Sequence, residues 1–148
     1  MSDIRTEDYS AEAIAAKDRA VLKFLKEAGL QIEGQAAKAL EMDPRRIDTG
    51  LLRNSITHAL DGEATEKISY RADRPRRGSD TIETGSYSGT TPEEPQGSRA
   101  VYIGTNVEYA EYVHDGTSRM APNRFLKNAV ELNKGQLQDK LKEALENA

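Results

Sequence analysis

The sequence contains no cysteine and no tryptophan, and aromatic residues make up only 5% of it. Without cysteine the chain can form neither a disulfide nor a thiolate metal site, and this composition suits a reducing cytoplasm. No apolar run approaches the roughly 20 residues that cross a bilayer. The first seven residues are mostly polar and lack the apolar segment of a signal peptide. These absences predict a soluble cytoplasmic protein.

Apolar residues of all kinds are scarce as well, at 36% of 148 residues, which is well below the average for a globular chain. The length predicts one domain over residues 1–148, with a flexible N-terminus at 1–9 and a lean core. The shortfall in apolar residues fits a long exposed helix, a disordered loop, or surfaces that a partner must cover. The formal net charge of −4 gives the whole molecule no electrostatic attraction to nucleic acid or to an anionic membrane.

Two long helices are predicted from apolar residues that recur at helical spacing. The first begins at an N-cap on Ser10, is kinked or broken near Gly29, and ends before Pro44, because proline disfavours helix at the residue that precedes it. The second begins with Pro122, where a missing N–H costs little, and carries apolar side chains from Phe125 onward. Both helices are therefore expected to flank whatever lies between them.

Short elements are predicted between the two long helices. They are a short helix capped by Asp48 or Thr49, a hairpin of strands 56–60 and 64–71 around Asp61-Gly62, a strand at 100–105, and a helix at 107–114 that is followed by Gly116. Strands grouped between helices indicate an α+β fold. We expect the long N-terminal helix and the C-terminal helix to pack on a small, mainly antiparallel sheet.

Residues 72–99 are predicted to form a long flexible loop, because they are rich in Gly, Ser, Thr and Pro and hold few large apolar side chains. Four arginines lie at its start, over residues 71–77, which are called the arginine loop below: Arg71, Arg74, Arg76 and Arg77. They are candidates, together with Tyr87, for an interface with a partner's carboxylates or with phosphates. The alternative is a solvated arm without a partner.

Residues suited to catalysis or metal binding occur in no recognised arrangement. His58 and His114 belong to no spaced pair of metal ligands, and no phosphate-binding loop or nucleophile elbow is present. A hydrolase that uses His114 with Glu111 or Asp115 is disfavoured, since neighbouring residues on a helix point in different directions. Tyr109 and Tyr112 share a helix face, which predicts core packing, with an interface as the alternative. We expect no catalytic residue, no metal and no cofactor.

Two short motifs are the most specific features of the chain. The first is Asp48-Thr49-Gly50-Leu51-Leu52-Arg53-Asn54-Ser55-Ile56. The second is Tyr109-Ala110-Glu111-Tyr112-Val113-His114-Asp115-Gly116-Thr117, with Gly104-Thr105-Asn106 before it and Pro122-Asn123-Arg124-Phe125-Leu126 after it. In this order, with a helix on each side, the motifs resemble those of the head–tail joining or tail-completion proteins of long-tailed bacteriophages and prophages, also called minor tail components.

The resemblance implies a virion structural protein of the neck or tail end, without enzymatic activity or cofactor. Its expected partners are further copies of itself in a ring, with sixfold symmetry to match the tail, and neighbouring neck and tail proteins; DNA in the channel is a further candidate. The isolated chain is expected to be a monomer without membrane contact. The residues that match the family pattern are Asp48, Thr49, Gly50, Leu52, Arg53, Ser55, Ile56, Tyr109, Ala110, Tyr112, Val113, Gly116, Thr117, Pro122, Phe125 and Leu126.

A second function is open from the residues themselves. The arginine loop is the part of a nucleic-acid-binding module that this chain could supply, although the mild overall acidity argues against such a module. No aromatic residue alternates with the arginines, so base stacking is not expected there. Salt-dependent DNA binding by the isolated protein would distinguish this function from a purely structural one.

Overall fold

A computed structural model describes residues 2–43, 49–88, 90–91 and 99–148 of the chain. These residues form two long helices, two short helices and three two-stranded antiparallel sheets, so the predicted α+β fold is confirmed. The elements are α1 Ser2–Glu41, α2 Leu51–Ser55, β1 Thr57–Leu60, β2 Glu63–Ala64, β3 Ser69–Arg71, β4 Thr84–Ser86, β5 Thr90–Thr91, β6 Val101–Gly104, α3 Ala110–Asp115 and α4 Phe125–Glu146.

The helices α1 and α4 pack against each other in opposite directions. Lys17 Nζ donates a hydrogen bond to the carbonyl oxygen of Leu145, whereas partners of Gln31 lie half-way along α4. The amide of Asn133, which is buried, donates to Gln35 Oε1 at 2.6 Å and accepts from Gln31. Leaving the buried amide of Asn133 without its hydrogen-bond partners would destabilise the folded state, so this cluster favours one register of the helix pair.

The ladder between β1 and β6 lies against α1 at Gly29. Its register pairs Thr57 with Gly104 and Leu60 with Val101. A Cβ atom at Gly29 would lie 2.7 Å from His58 Cδ2 and 2.8 Å from Val101 Cγ2, so the missing side chain lets the helix approach the ladder. The predicted break near Gly29 is therefore wrong: α1 continues to Glu41, and the packing offsets the low helix propensity of glycine.

The start of each long helix also differs from the prediction. Because α1 begins at Ser2, Ser10 lies within the helix and is not its N-cap, and residues 2–9 belong to the helix. Helix α4 begins at Phe125, three residues after Pro122. Arg124, with a φ of −79° and a ψ of 61°, is not helical, so the helix cannot include Pro122. The backbone N–H of Asn123 instead donates to the carbonyl oxygen of Val113 at 2.9 Å. No helix of the described residues is long and apolar enough to cross a membrane.

The strand pairing around Asp61-Gly62 differs from the predicted hairpin. The chain does turn there, with Gly62 at a φ of 78°, and the N–H of Glu66 donates to the carbonyl oxygen of His58 at 2.9 Å. However, β1 pairs with β6, β2 with β5 and β3 with β4. The Asp61-Gly62 sequence predicts where the chain reverses direction. Which strand pairs with β1 depends instead on segments that are distant in the sequence. Ile68, which lies within the predicted strand 64–71, is outside β3 and exposed.

The described part of residues 72–99 contains regular structure, contrary to the prediction. Strand β4 pairs with β3, with Tyr70 opposite Gly85. Ala72 is buried and Ile82 packs against the core. A few anchoring side chains are therefore enough to attach a segment whose composition predicts a loop. Residues 89 and 92–98 lie outside the described residues.

Candidate interaction surface

The first motif forms the turn into α2. The N-cap of α2 is Gly50, so the predicted cap on Thr49 is wrong. Thr49, which is buried, instead accepts a hydrogen bond at Oγ1 from the N–H of Leu51 at 3.3 Å, one residue before the capping position. Gly50 has a φ of 83°, a conformation that residues with a side chain rarely adopt. Asp48, the other candidate cap, lies outside the described residues. In this tight turn, Thr49 accepts a hydrogen bond from the start of α2, and Gly50 provides the positive φ.

The same turn holds the arginine loop. Arg53 forms an ion pair with Asp73, and Asn54 Nδ2 donates to Asp73 Oδ1 at 2.9 Å and to the carbonyl oxygen of Arg71 at 2.8 Å. The N–H of Asp73 donates to the carbonyl oxygen of Thr49 at 2.7 Å. The polar side chains of the first motif thus bind the backbone and the carboxylate that begin the loop.

The end of α2 connects the first motif to the chain before the second. Ser55 is fully buried, and its hydroxyl donates to the carbonyl oxygen of Leu52 at 2.6 Å. The hydroxyls of Ser55 and Thr105 are also 2.6 Å apart. Lys67 Nζ donates to the carbonyl oxygens of Asn54 and Ile56, where the positive charge suits the end of a helix. Leu52 and Ile56 lie in the hydrophobic core.

A tyrosine pair fastens β3 and β4 to this junction. The Tyr87 hydroxyl donates to the carbonyl oxygen of Ser55, and the Tyr70 hydroxyl donates to Asn106 Oδ1 at 2.6 Å. The two rings lie 5.4 Å apart, and a side chain at Gly85 would overlap the Tyr70 ring. Burial raises the pKa of both tyrosines above the ordinary value. Tyr87, a candidate interface residue, is therefore half-buried and uses its hydroxyl inside the molecule.

The second motif folds into a closed loop around Gly116. Ala110 and Val113 are buried, and Gly116, as predicted, follows the helix. Gly116 combines a φ of 80° with a ψ of 174°, which lies outside the left-handed helical region in a part of backbone space that essentially only glycine adopts. A Cβ atom there would lie 2.8 Å from the backbone nitrogen of Pro122. The loop closes through a bridge between Thr117 and Met120.

His114 serves this loop through both ring nitrogens. Its Nε2 accepts a hydrogen bond from the backbone N–H of Lys127 at 3.3 Å, so Nδ1 carries the proton and donates to Asp115 Oδ1 at 2.8 Å. The ring also packs edge-on against the fully buried Phe125. The imidazole thereby positions α4 relative to α3, and neither nitrogen is left for proton transfer to a substrate in this arrangement.

The two tyrosines of α3 and its entry face outward. Tyr109 is 37% exposed and Tyr112 is 59% exposed, so the expectation of core packing is wrong. The reason is that Ala110 and Val113 occupy the inward face of the short helix. Glu108 and Glu111 are exposed beside the tyrosines. These four residues, Glu108, Tyr109, Glu111 and Tyr112, are called the α3 face below.

An open groove of about 500 Å³ adjoins the α3 face. Its lining is mainly apolar and includes Phe125, the half-buried Leu126 and the 44% exposed Val130. Charged groups of Glu111, Asp115 and Lys127 contribute to the same lining. An apolar centre bordered by charge is typical of a surface that binds another molecule.

The arginine loop is largely exposed. Arg76 forms an ion pair with Glu83 at 2.9 Å, and the N–H of Ser79 donates to the carbonyl oxygen of Arg76 to close a turn. The backbone N–H of Arg74 donates to Thr49. Within the described part of the chain, Arg71 and Arg77 take part in no ion pair. The loop therefore presents guanidinium groups from a backbone that is held at its start.

The sequence did not point to Asp73 or Lys67 as positioning residues, and it showed Asn106 only as part of the Gly104-Thr105-Asn106 motif, without a role. Their roles depend on side-chain and backbone groups from other parts of the sequence, so no local pattern predicts them. In the described residues, no three His, Asp or Glu side chains are grouped to hold a metal ion. Comparisons with protein-family models, with curated proteins and with solved structures found no match.

Proposed function

We propose that this chain is a structural protein of the neck or tail end of a long-tailed bacteriophage or prophage, where it joins the head connector to the tail or completes the tail. One observation carries the proposal. Five polar residues of the two motifs bind backbone or side-chain groups elsewhere in the fold and so hold chain segments in place: Thr49, Arg53, Asn54, Ser55 and His114. The motifs that resemble the family thus act as positioning devices in this fold.

What the two motifs position is exposed surface. The first motif holds the arginine loop, and the second presents the α3 face and the groove beside it. A lean core with two presented surfaces suits a component that is completed by assembly. In this proposal the chain acts as a ring of copies, sixfold to match the tail, between neighbouring neck and tail proteins in the virion.

The proposal is tested by deleting the gene for this chain from the genome that encodes it and inducing particle formation. The expected result is filled heads and separate tails in electron micrographs, with joined particles restored by the wild-type gene in trans. Mass spectrometry of purified joined particles should detect the chain. Normal joined particles after the deletion, or joined wild-type particles that lack the chain, would reject the proposal.

A nucleic-acid-binding function remains the second candidate, because Arg71 and Arg77 are exposed and take part in no ion pair within the described residues. Neutralised phosphates make the logarithm of the binding constant fall with the logarithm of salt, by about 0.9 per contact on duplex DNA. Replacement of Arg71, Arg74 and Arg77 by Gln should then reduce this slope by about 3. Absence of salt-dependent DNA binding by the wild-type protein would exclude this candidate.

A further inference from the structure

We infer that the arginine loop of one copy docks on the α3 face and adjoining groove of a second copy, in a head-to-tail contact. The inference rests on the proposed function in one respect, which is that the chain assembles with itself. The two surfaces differ, so the contact is heterologous, and repeated copies close into a ring or extend as a filament according to the rotation at each contact.

The charges of the two surfaces are complementary. Glu108 and Glu111 are exposed, and within the described residues neither takes part in an ion pair. Arg71 and Arg77 are likewise exposed and take part in no ion pair there. Within the described residues, each surface therefore carries two charged side chains that no ion pair of the same copy engages. Opposite charges across a contact speed its formation and fix its orientation.

The α3 face also offers the side chains that arginine prefers. Tyr112 is 59% exposed, and a guanidinium group binds over the face of a tyrosine ring. Tyrosine and arginine are both enriched in protein interfaces, and their contacts often dominate the binding free energy. Ile68, which is 76% exposed and lies just before β3, is an apolar side chain suited to the groove lined by Leu126 and Val130.

The loop is ordered at its start before any docking. The ion pair of Arg53 with Asp73 and the hydrogen bond from Asn54 to the carbonyl oxygen of Arg71 hold its backbone. Binding by a segment that is already ordered avoids part of the entropy cost of association. This argues for docking over a freely moving arm, and it explains why the first motif uses an arginine and an asparagine side by side.

A second copy explains the observations better than nucleic acid does. Phosphates would bind the arginine loop, but they would leave the exposed carboxylates of Glu108 and Glu111 and the groove without a partner. A second copy uses the loop, the carboxylates, the tyrosines and the groove together. The contact needs to be only weak in solution, because a ring gains stability from every interface once it closes.

The experiment compares two charge-reversed variants by sedimentation equilibrium, at low salt and at concentrations up to about 1 mM. The loop variant is Arg71→Glu with Arg77→Glu, and the face variant is Glu108→Lys with Glu111→Lys. We expect the wild-type protein to self-associate and each variant alone to lose at least about tenfold in association constant. An equimolar mixture of the two variants should associate again, because each surface then meets its opposite charge.

Matched controls carry the same change in net charge on the exposed side of α4, where Lys134, Lys142, Glu131 and Asp139 are exposed. The variant with Lys134→Glu and Lys142→Glu, and the variant with Glu131→Lys and Asp139→Lys, should associate like the wild-type protein. Their mixture should behave like either control alone. Tyr112→Ser, which removes the exposed ring without changing charge, should also weaken association, by about tenfold.

Three results would overturn the inference. They are a wild-type protein that stays monomeric at about 1 mM, variants that associate as well as the controls, and a mixture that fails to recover association. If the wild-type protein is monomeric but binds DNA in a salt-dependent way, and the loop variant does not, then the arginine loop binds nucleic acid and not a second copy. If the protein associates through another surface, the docking inference is wrong but the proposed neck function is unaffected. If the protein associates as described but joined particles form normally after gene deletion, only the proposed neck function is rejected.

Discussion

A single added methyl group at Gly29 is expected to reveal how closely α1 approaches the β1–β6 ladder. Alanine has a higher helix propensity than glycine by about 1 kcal/mol, so Gly29→Ala would stabilise an unhindered helix by that amount. However, the new Cβ atom would lie 2.7 Å from the ring of the buried His58 and 2.8 Å from Val101. Overpacking of this kind costs about 1–3 kcal/mol.

Gly34 provides the matched control on the same helix. Nothing lies within 4 Å of a Cβ atom built there, so Gly34→Ala should raise the free energy of unfolding by about 1 kcal/mol. Gly29→Ala should leave that free energy between unchanged and about 2 kcal/mol lower, once the propensity gain is set against the overpacking. The difference between the two variants, about 1–3 kcal/mol, therefore isolates the steric contribution.

The assay is urea unfolding followed by circular dichroism, with the slopes required to agree between variants so that the midpoints can be compared. If Gly29→Ala stabilised the protein as much as Gly34→Ala, the close approach of α1 to His58 and Val101 would be refuted. The position of Thr105, which directly follows β6 and contacts Ser55, would then need another explanation than the packing of α1 on the ladder.

Three further perturbations address the positioning groups. Arg53→Ala should cost about 1 kcal/mol or less, because its ion pair is partly exposed; amide hydrogen exchange should rise in the arginine loop, and unchanged exchange there would refute its role. Alkaline pH should destabilise the fold, because the raised pKa of Tyr87 means that the unfolded chain loses the phenol proton first. That contribution is complete below pH about 10 and is lost as pH rises through the folded-state pKa; equal pH dependence in Tyr87→Phe would contradict it. Asn133→Ala should cost about 1–3 kcal/mol, since Gln35 is left without its partner; thermal unfolding at unchanged midpoint would contradict this.

The sequence by itself determined the fold class and the elements with strong local signals. Helical spacing of apolar residues located both long helices, and short apolar stretches located β1 and β6. Gly116 was correctly assigned to the end of α3. These features are readable because helix periodicity and glycine conformation depend on neighbours within a few residues.

The tertiary structure alone decided how these elements meet. The pairing of β1 with β6, and of β3 with β4, brings together segments whose association no local spacing encodes. Whether Tyr112 faces inward or outward depended on which side of a two-turn helix met the core, and alanine and valine took that side. A segment with the composition of a loop contains the short strands β4 and β5, and Ala72 and Ile82 attach it to the hydrophobic core.

The candidate surface shows the same division. The two motifs, with Asn106 just before the second, and the run of arginines are visible in the sequence, but Asp73 carries no signal of its own and the partner of Asn106 is not encoded locally. Asp73 matters because Arg53 and Asn54 reach it across the turn, and Asn106 because the Tyr70 hydroxyl does. Local interactions depend on residues that are adjacent in the sequence and can be predicted from them. A hydrogen bond between distant residues forms only after folding has brought those two residues together.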